Sequence, residues 1–159
     1  MFGAIVATVE LVPLPLGTME PLLAVGYRPE GGTIVVEHLT DGKVRLGWQA
    51  FGESARFGDS FGWDFKDPHK VGISLGSLYP AMGSALWRSH LDESQMLRDK
   101  QVVRCTVDGR QVLSQDLPTP DVSPLSVAFG QNSLMASGIA DRLAGRIIAT
   151  KRESWMSAP

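Results

Sequence analysis

The groups that could do chemistry in this 159-residue chain are three histidines, one cysteine and seventeen acidic residues, and their spacing allows little of it. Cys105, in VVRCTVDG, has no partner for an internal disulfide and rules out a four-thiolate zinc site. Its place in an alternating apolar run reads as a small buried hydrophobe rather than a reactive thiol. None of His38, His69 and His90 lies in a nucleophile motif, so no Ser/His/Asp arrangement can be built. His69 follows Pro68 at a strand start and reads as a surface residue. His38 is placed opposite Arg45 on the outward face of a hairpin, either as a solvated cross-strand pair or as a ligand contact.

Paired carboxylates fare no better. Glu37 and Asp41 in VVEHLTDG stand at the wrong spacing for a catalytic pair, and Asp41 is used by a turn. Asp59, Asp64 and Asp67 in GDSFGWDFKD fall among glycines and aromatics that mark a loop. Two of the four tryptophans, Trp63 in DSFGWDFKD and Trp87 in GSALWRSH, also sit in expected loops. There an indole can act as a flat apolar platform with one donor, or simply pack against the end of the domain.

The elements that must position these residues are strands. Period-2 alternation of Val, Ile and Leu, broken at short intervals by Gly, Pro and Asp-Gly, marks an all-β protein. The pattern predicts strands over 4–12, 21–27, 33–39, 43–51, 69–75, 101–107, 110–115, 125–130 and 143–151. Residues 89–100 give one short helix or a loop, with Ser89 as N-cap and only Leu91, Met96 and Leu97 as a thin apolar face. Asp41-Gly42 and Asp108-Gly109 supply the positive φ angles of tight hairpins. These turns place Leu39 opposite Val44, Glu37 opposite Leu46 and Val35 opposite Trp48; in the second hairpin Cys105 faces Val112 and Arg104 faces Leu113.

On this register Val35, Leu39, Val44, Leu46, Trp48 and Ala50 share the core face, while Ile34, Val36, His38, Arg45, Gly47, Gln49 and Phe51 share the other. Glu37 is the exception on the inner face, to be explained by an edge position or an arginine. The outer face, part apolar and part polar, reads as the concave surface of a curved sheet.

Length and composition bound the rest. The chain fits one domain, 1–159, with 43% hydrophobic and 20% charged residues, an ordinary globular balance. Fifteen basic against seventeen acidic residues give a net charge of -2, so no basic field exists to hold nucleic acid. The apolar start MFGAIVATVELVPLPLG lacks a basic leader, carries Glu10 and is broken by Pro13 and Pro15, so it reads as a first strand. Met1 stands so close to that strand that a domain excised from a longer protein is an equally open reading. No polybasic or amphipathic stretch points to membrane insertion.

The order of elements resembles laminin G-like, concanavalin A-like sandwich domains. The tail LSVAFGQNSLMASGIADRLAGRIIATK is similar to their closing segment at Phe129, Gly130, Gln131, Asn132, Leu143, Gly145, Arg146 and Ile147. VVRCTVDGRQVLSQ is similar to their Val-Asp-Gly hairpin, preceded by HKVGISLGSLYP. The resemblance spans Gly3 to Lys151 and implies a two-sheet antiparallel jelly-roll sandwich, a fold that hosts lectins, adhesion modules, glucanases and packing domains.

The enzymes of that fold carry a Glu-x-Asp-x-x-Glu strand, where retaining hydrolysis needs two carboxyls about 5 Å apart. This chain has none. Some relatives hold calcium at the rim, which would draw on Asp59, Asp64, Asp67, Asp92 and Asp99. Hard cations take about six to eight oxygens, and the spacing here shows no dedicated site.

What remains is a non-catalytic module recognising a glycan or protein surface through His38, Arg45, Gln49, Trp63, Asp64 and Trp87, without metal or cofactor. The alternative is an assembly module burying Ile34, Val36 and Phe51 against another subunit or domain, with Trp155 packing on a neighbour. The resemblance implies an extracytoplasmic setting.

Overall fold

A computed structural model describes residues 2–88, 93–122 and 125–154; Ser89, His90, Leu91, Asp92 and Trp155 lie outside the described residues. Eleven strands are seen among these: β1 Ile5–Glu10, β2 Met19–Tyr27, β3 Glu30–His38, β4 Lys43–Ala50, β5 Arg56–Phe57, β6 Phe61–Gly62, β7 His69–Ser74, β8 Val102–Val107, β9 Arg110–Asp116, β10 Val127–Phe129 and β11 Arg146–Arg152. They form two antiparallel sheets, β11-β1-β7-β8-β9 and β10-β2-β3-β4-β5, with β6 also on β4. The expected all-β sandwich is thus the observed architecture. Two short helices, α1 Ala85–Arg88 and α2 Glu93–Lys100, lie between β7 and β8.

Alternation makes the sheet of β1 amphipathic: Ile5, Ala7 and Val9 are buried and the residues between them are partly exposed. These side chains meet Ile34, Val36, Val44, Leu46 and Trp48 from the other sheet in one continuous core. Fully burying each such side chain contributes roughly 1.5–3 kcal/mol. The Trp48 ring lies across Gly32, where a β-carbon would collide with the indole. Trp48 is 2% exposed, as the alternation of β4 predicts.

The first hairpin pairs one residue away from the expected register. His38 stands opposite Val44, Val36 opposite Leu46 and Ile34 opposite Trp48. Asp41 (φ 59°) and Gly42 (φ 68°) do form the tight turn, and the Lys43 N–H donates to the Thr40 carbonyl at 3.2 Å. The Leu39 N–H also reaches the Lys43 carbonyl, at 2.9 Å, so one extra residue is accommodated on the β3 side as a bulge. Because the side-chain period is two, that residue exchanges the faces of β3 while leaving β4 unchanged.

Ile34, Val36 and His38 therefore point into the core; Val35 and Glu37 point outward with Arg45 and Gln49. Glu37 is no inner exception. Its Oε2 accepts a hydrogen bond from Arg45 Nε at 2.7 Å. The second hairpin keeps the expected pairing next to its turn, Val107 with Arg110, then slips between Cys105 and Thr106. Cys105 consequently faces Leu113 and Arg104 faces Ser114.

The outer face of β3 is not open. Leu134, Ala136 and Ile139, from the irregular segment between β10 and β11, are buried, and Ala136 and Ile139 pack on Val35 with Met19, Ala55 and Phe57 at the margin. Asn132 knits this roof, its amide donating to the Ala136 and Ile139 carbonyls and accepting from the Ala136 N–H. Ala140 N–H binds the Met19 carbonyl and Ala144 N–H binds the Glu20 carboxylate. No helix of the described residues is long and apolar enough to cross a membrane.

Candidate functional site

Where the roof ends, the outer face opens into a groove of about 480 Å³ lined by Met19, Gln49, Glu53, Ala55, Phe57 and Ser137, with Gly52 and Ser54 at its lip. β4 and β5 build its floor. Gly47 has no side chain, and a β-carbon there would stand 2.7 Å from the Phe57 ring, so this glycine lets the ring lie flat over the strand. The Arg45 guanidinium stacks on that ring with its carbon 4.0 Å from the centroid, a cation–π contact further fixed by Glu37. Gln49 is 5% exposed, and its amide donates to the Ser137 carbonyl at 3.0 Å. The rest of that amide has no other partner among the described residues and belongs to the groove.

The six residues proposed from sequence are not gathered in one place. Arg45 and Gln49 serve the groove, one behind Phe57 and one at the base. His38 is turned inward by the register of β3 and is 2% exposed, which corrects its expected place on the outer face. Its Nε2–H donates to Glu20 Oε2 at 2.7 Å, and its ring stacks on Phe65. Burial of this pair is compensated because Glu20 Oε1 also accepts the Ala144 N–H.

Trp63 and Trp87 are each 5% exposed. Packing has taken the faces that a platform would offer, the commoner fate of a bulky apolar ring beside a core. Trp63 follows β6 and meets His69 edge-on, ring centroids 4.5 Å apart; Trp87 sits in α1 with Nε1 3.5 Å from Glu93. Asp64 is exposed, its side chain capping the Lys66 N–H and its carbonyl accepting from His69 Nε2 at 2.8 Å.

His69 is more than a surface residue. Its other nitrogen donates to Asp108 Oδ2 at 2.6 Å, so both ring nitrogens face acceptors. Burial pulls its pKa down, but the Asp108 and Asp64 hydrogen bonds and the two negative charges outweigh it, and the net shift is upward. The same contact holds the Asp108 carboxyl below the usual range, helped by the Lys70 N–H. This cluster ties the β6–β7 connection to the β8–β9 turn.

Cys105 is fully buried, and desolvation pushes its thiol up to about 12. Among the described residues no three His, Cys, Asp or Glu side chains come together as metal ligands. Phe57, Glu53 and Ser137 were not singled out by sequence, since they come from short or irregular segments without periodicity, and Met19 opens β2 two residues before the strand expected there. Gly47 was the one available signal: a glycine inside a strong strand pattern marks close approach by another group.

No protein-family model matches the sequence, and no curated protein matches it. Among solved structures, the chain is similar to the native heptameric SAP-like pentraxin from Limulus polyphemus, with a TM-score of 0.54 at 10% identity. The match covers 91% of this chain and 55% of that one, so the chain spans about half the length of this relative. At such identity the likeness shows the fold alone, a two-sheet antiparallel jelly-roll sandwich.

Proposed function

We propose that this chain is a non-catalytic binding module that recognises a carbohydrate or protein surface through the groove at Gln49 and Phe57. The observation that carries the reading is the Gln49 amide, almost wholly buried yet opening on a cavity of about 480 Å³. Polar groups set beside apolar surface are what fixes a ligand's orientation, and half of the residues lining this groove are polar. Phe57 adds a ring face held rigid by Arg45, and Glu53, Ser54 and Ser137 add acceptors and donors at the rim. Hydroxyl-rich ligands, with apolar C–H faces and polar edges, suit this combination.

The jelly-roll fold supports a binding role by analogy only, and the laminin G-like assignment and an extracytoplasmic setting rest on the sequence resemblance. The assembly reading loses two of its residues, since Ile34 and Val36 are fully buried. Phe51 is half-buried, with Arg28 over its ring.

A glycan array probed with the labelled domain, followed by calorimetry on the strongest hit, tests the proposal. Phe57→Ala and Gln49→Ala should each weaken binding at least about tenfold, measured well below the lowered thermal midpoint that the lost packing and the lost Ser137 hydrogen bond entail. Full affinity in both variants would rule out the groove. A silent array together with a stable oligomer in light scattering would favour the assembly reading.

A further inference from the structure

The roof over β3 is a closed loop that carries its own hydrogen bonds. The Leu143 N–H donates to the Gly130 carbonyl and the Asn132 N–H to the Asp141 carbonyl, both at 2.9 Å, which brings the two ends together as a base. The Ala144 N–H on Glu20 fixes that base to β2. Within the loop the Asn132 side chain holds the Ala136 N–H and the Ala136 and Ile139 carbonyls. Ties from the rest of the loop to the sheet beneath are fewer. Among the described residues they are the Ala140 N–H on the Met19 carbonyl, the Gln49 amide on the Ser137 carbonyl, and the apolar contacts of Leu134, Ala136 and Ile139. A compact loop with closed ends and bonds of its own is built to move as one body.

Beneath this loop lies a hydroxyl with nothing to bond. Thr33 is fully buried, and its Oγ1 has no hydrogen-bond partner. Alternation puts it on the same face as Gly31 and Val35. Leu134 reaches over Gly31, and Ala136 and Ile139 pack on Val35, so the loop covers Thr33 between them. Thr33 also stands directly opposite Gln49 in the β3–β4 ladder. Opposed side chains on one face have β-carbons about 4.5–5.5 Å apart, within the reach of a glutamine amide. The Gln49 amide that holds Ser137 thus has a second acceptor beside it.

We propose that residues 132–141 form a flap over a longer site. The flap lifts about its base, the Gln49 amide passes from the Ser137 carbonyl to the Thr33 hydroxyl, and the groove at Phe57 extends along β3 over Val35 and Thr33. The exchange conserves hydrogen bonds: Ser137 is exposed, so its freed carbonyl takes water, while Thr33 gains the partner it lacks in the closed form. The uncovered strip, apolar at Val35 and polar at Thr33 and Gln49, suits an extended ligand lying along the strand. That it serves a ligand rests on the binding role proposed for the groove; the lifting of the flap does not.

Native-state hydrogen exchange of the free chain, read by NMR, tests the flap. The Ala140 amide, bonded to the sheet, should exchange at least about tenfold faster than the Ala136 and Asn132 amides, bonded within the flap, and than the core amides of β3. Thr33→Val keeps the shape and removes the second acceptor, and should slow Ala140 exchange at least about fivefold. Thr33→Ser, which keeps a hydroxyl, should leave it near wild type. An Ala140 amide that exchanges with Ala136 and the core, or a rate unmoved by Thr33→Val, would overturn the proposal. These rates are measured without ligand, so a silent glycan array would end the binding role and not the flap, and a strong array hit beside unmoved rates would end the flap and not the binding role.

Discussion

Glu20 is the residue whose loss should cost the domain most for its size. It is fully buried, and its two oxygens hold His38 Nε2 at 2.7 Å and the Ala144 N–H at 2.6 Å. It thereby joins β3 to the crossover that leads from the roof into β11. Glu20→Ala leaves a buried imidazole and a backbone donor without an acceptor. Breaking such a pair from one side costs about 3–5 kcal/mol, a large share of the roughly 5–15 kcal/mol by which domains are stable.

In urea, with a slope near ~2 kcal/mol per molar, the midpoint should fall by about 2 M, read by tryptophan fluorescence. Replacing both partners, Glu20→Leu with His38→Leu, should recover most of the loss, short of the ~1–3 kcal/mol cost of the orphaned Ala144 N–H. The cycle would then show strong coupling between the two positions. A Glu20→Ala variant within about 1 kcal/mol of wild type would refute the buried pair as an element holding the roof, on the scale expected for exposed ion pairs.

The His69–Asp108 contact makes stability depend on pH in two directions. The raised His69 pKa gives a contribution fully present below its ordinary value of 6.5 and lost as pH rises through the folded value; the lowered Asp108 pKa gives one present above 3.8 and lost as pH falls. His69→Gln should flatten the pH profile of the thermal midpoint above 6.5 and below 3.8, where the two contributions are lost, and an NMR titration of His69 should show a midpoint above 6.5. Cys105, with its thiol pushed up to about 12, should resist a disulfide reagent in the native state at pH 8 and react once unfolded in guanidinium. Gly32→Ala should overpack Trp48, costing about 1–3 kcal/mol in chemical unfolding and shifting the Trp48 emission; wild-type stability would place the indole elsewhere.

The sequence made the sandwich legible because its turns are written in residue types: Asp41-Gly42 and Asp108-Gly109 adopt the positive φ angles expected of them. Alternation in β4 also carried the right faces for Trp48, Arg45 and Gln49. The faces of β3 were lost to one bulged residue at Leu39–Thr40, which no residue type announces and which moved His38 from surface to core.

The roof over Val35 was equally hidden. QNSLMASGIADRLAG has no period of its own, and it is ordered by contacts with Val35, Met19 and Glu20 and by the hydrogen bonds of Asn132. Trp63 follows the short strand β6 and Trp87 lies in helix α1 rather than in the expected loop, and neighbouring elements cover both, because burying an indole outweighs keeping it exposed. The groove combines both limits: its floor belongs to the legible strand β4 and the short β5, and its wall to the roof.

The Gln49 side-chain amide reports most directly on whether this groove binds anything. In a nitrogen-15 spectrum titrated with the strongest array ligand, its NH2 pair and the backbone amides of Ala55, Phe57 and Ser137 should shift together along one saturation curve. Shifts confined to the Trp63–His69 end or to β11, with the Gln49 pair unmoved, would contradict the account.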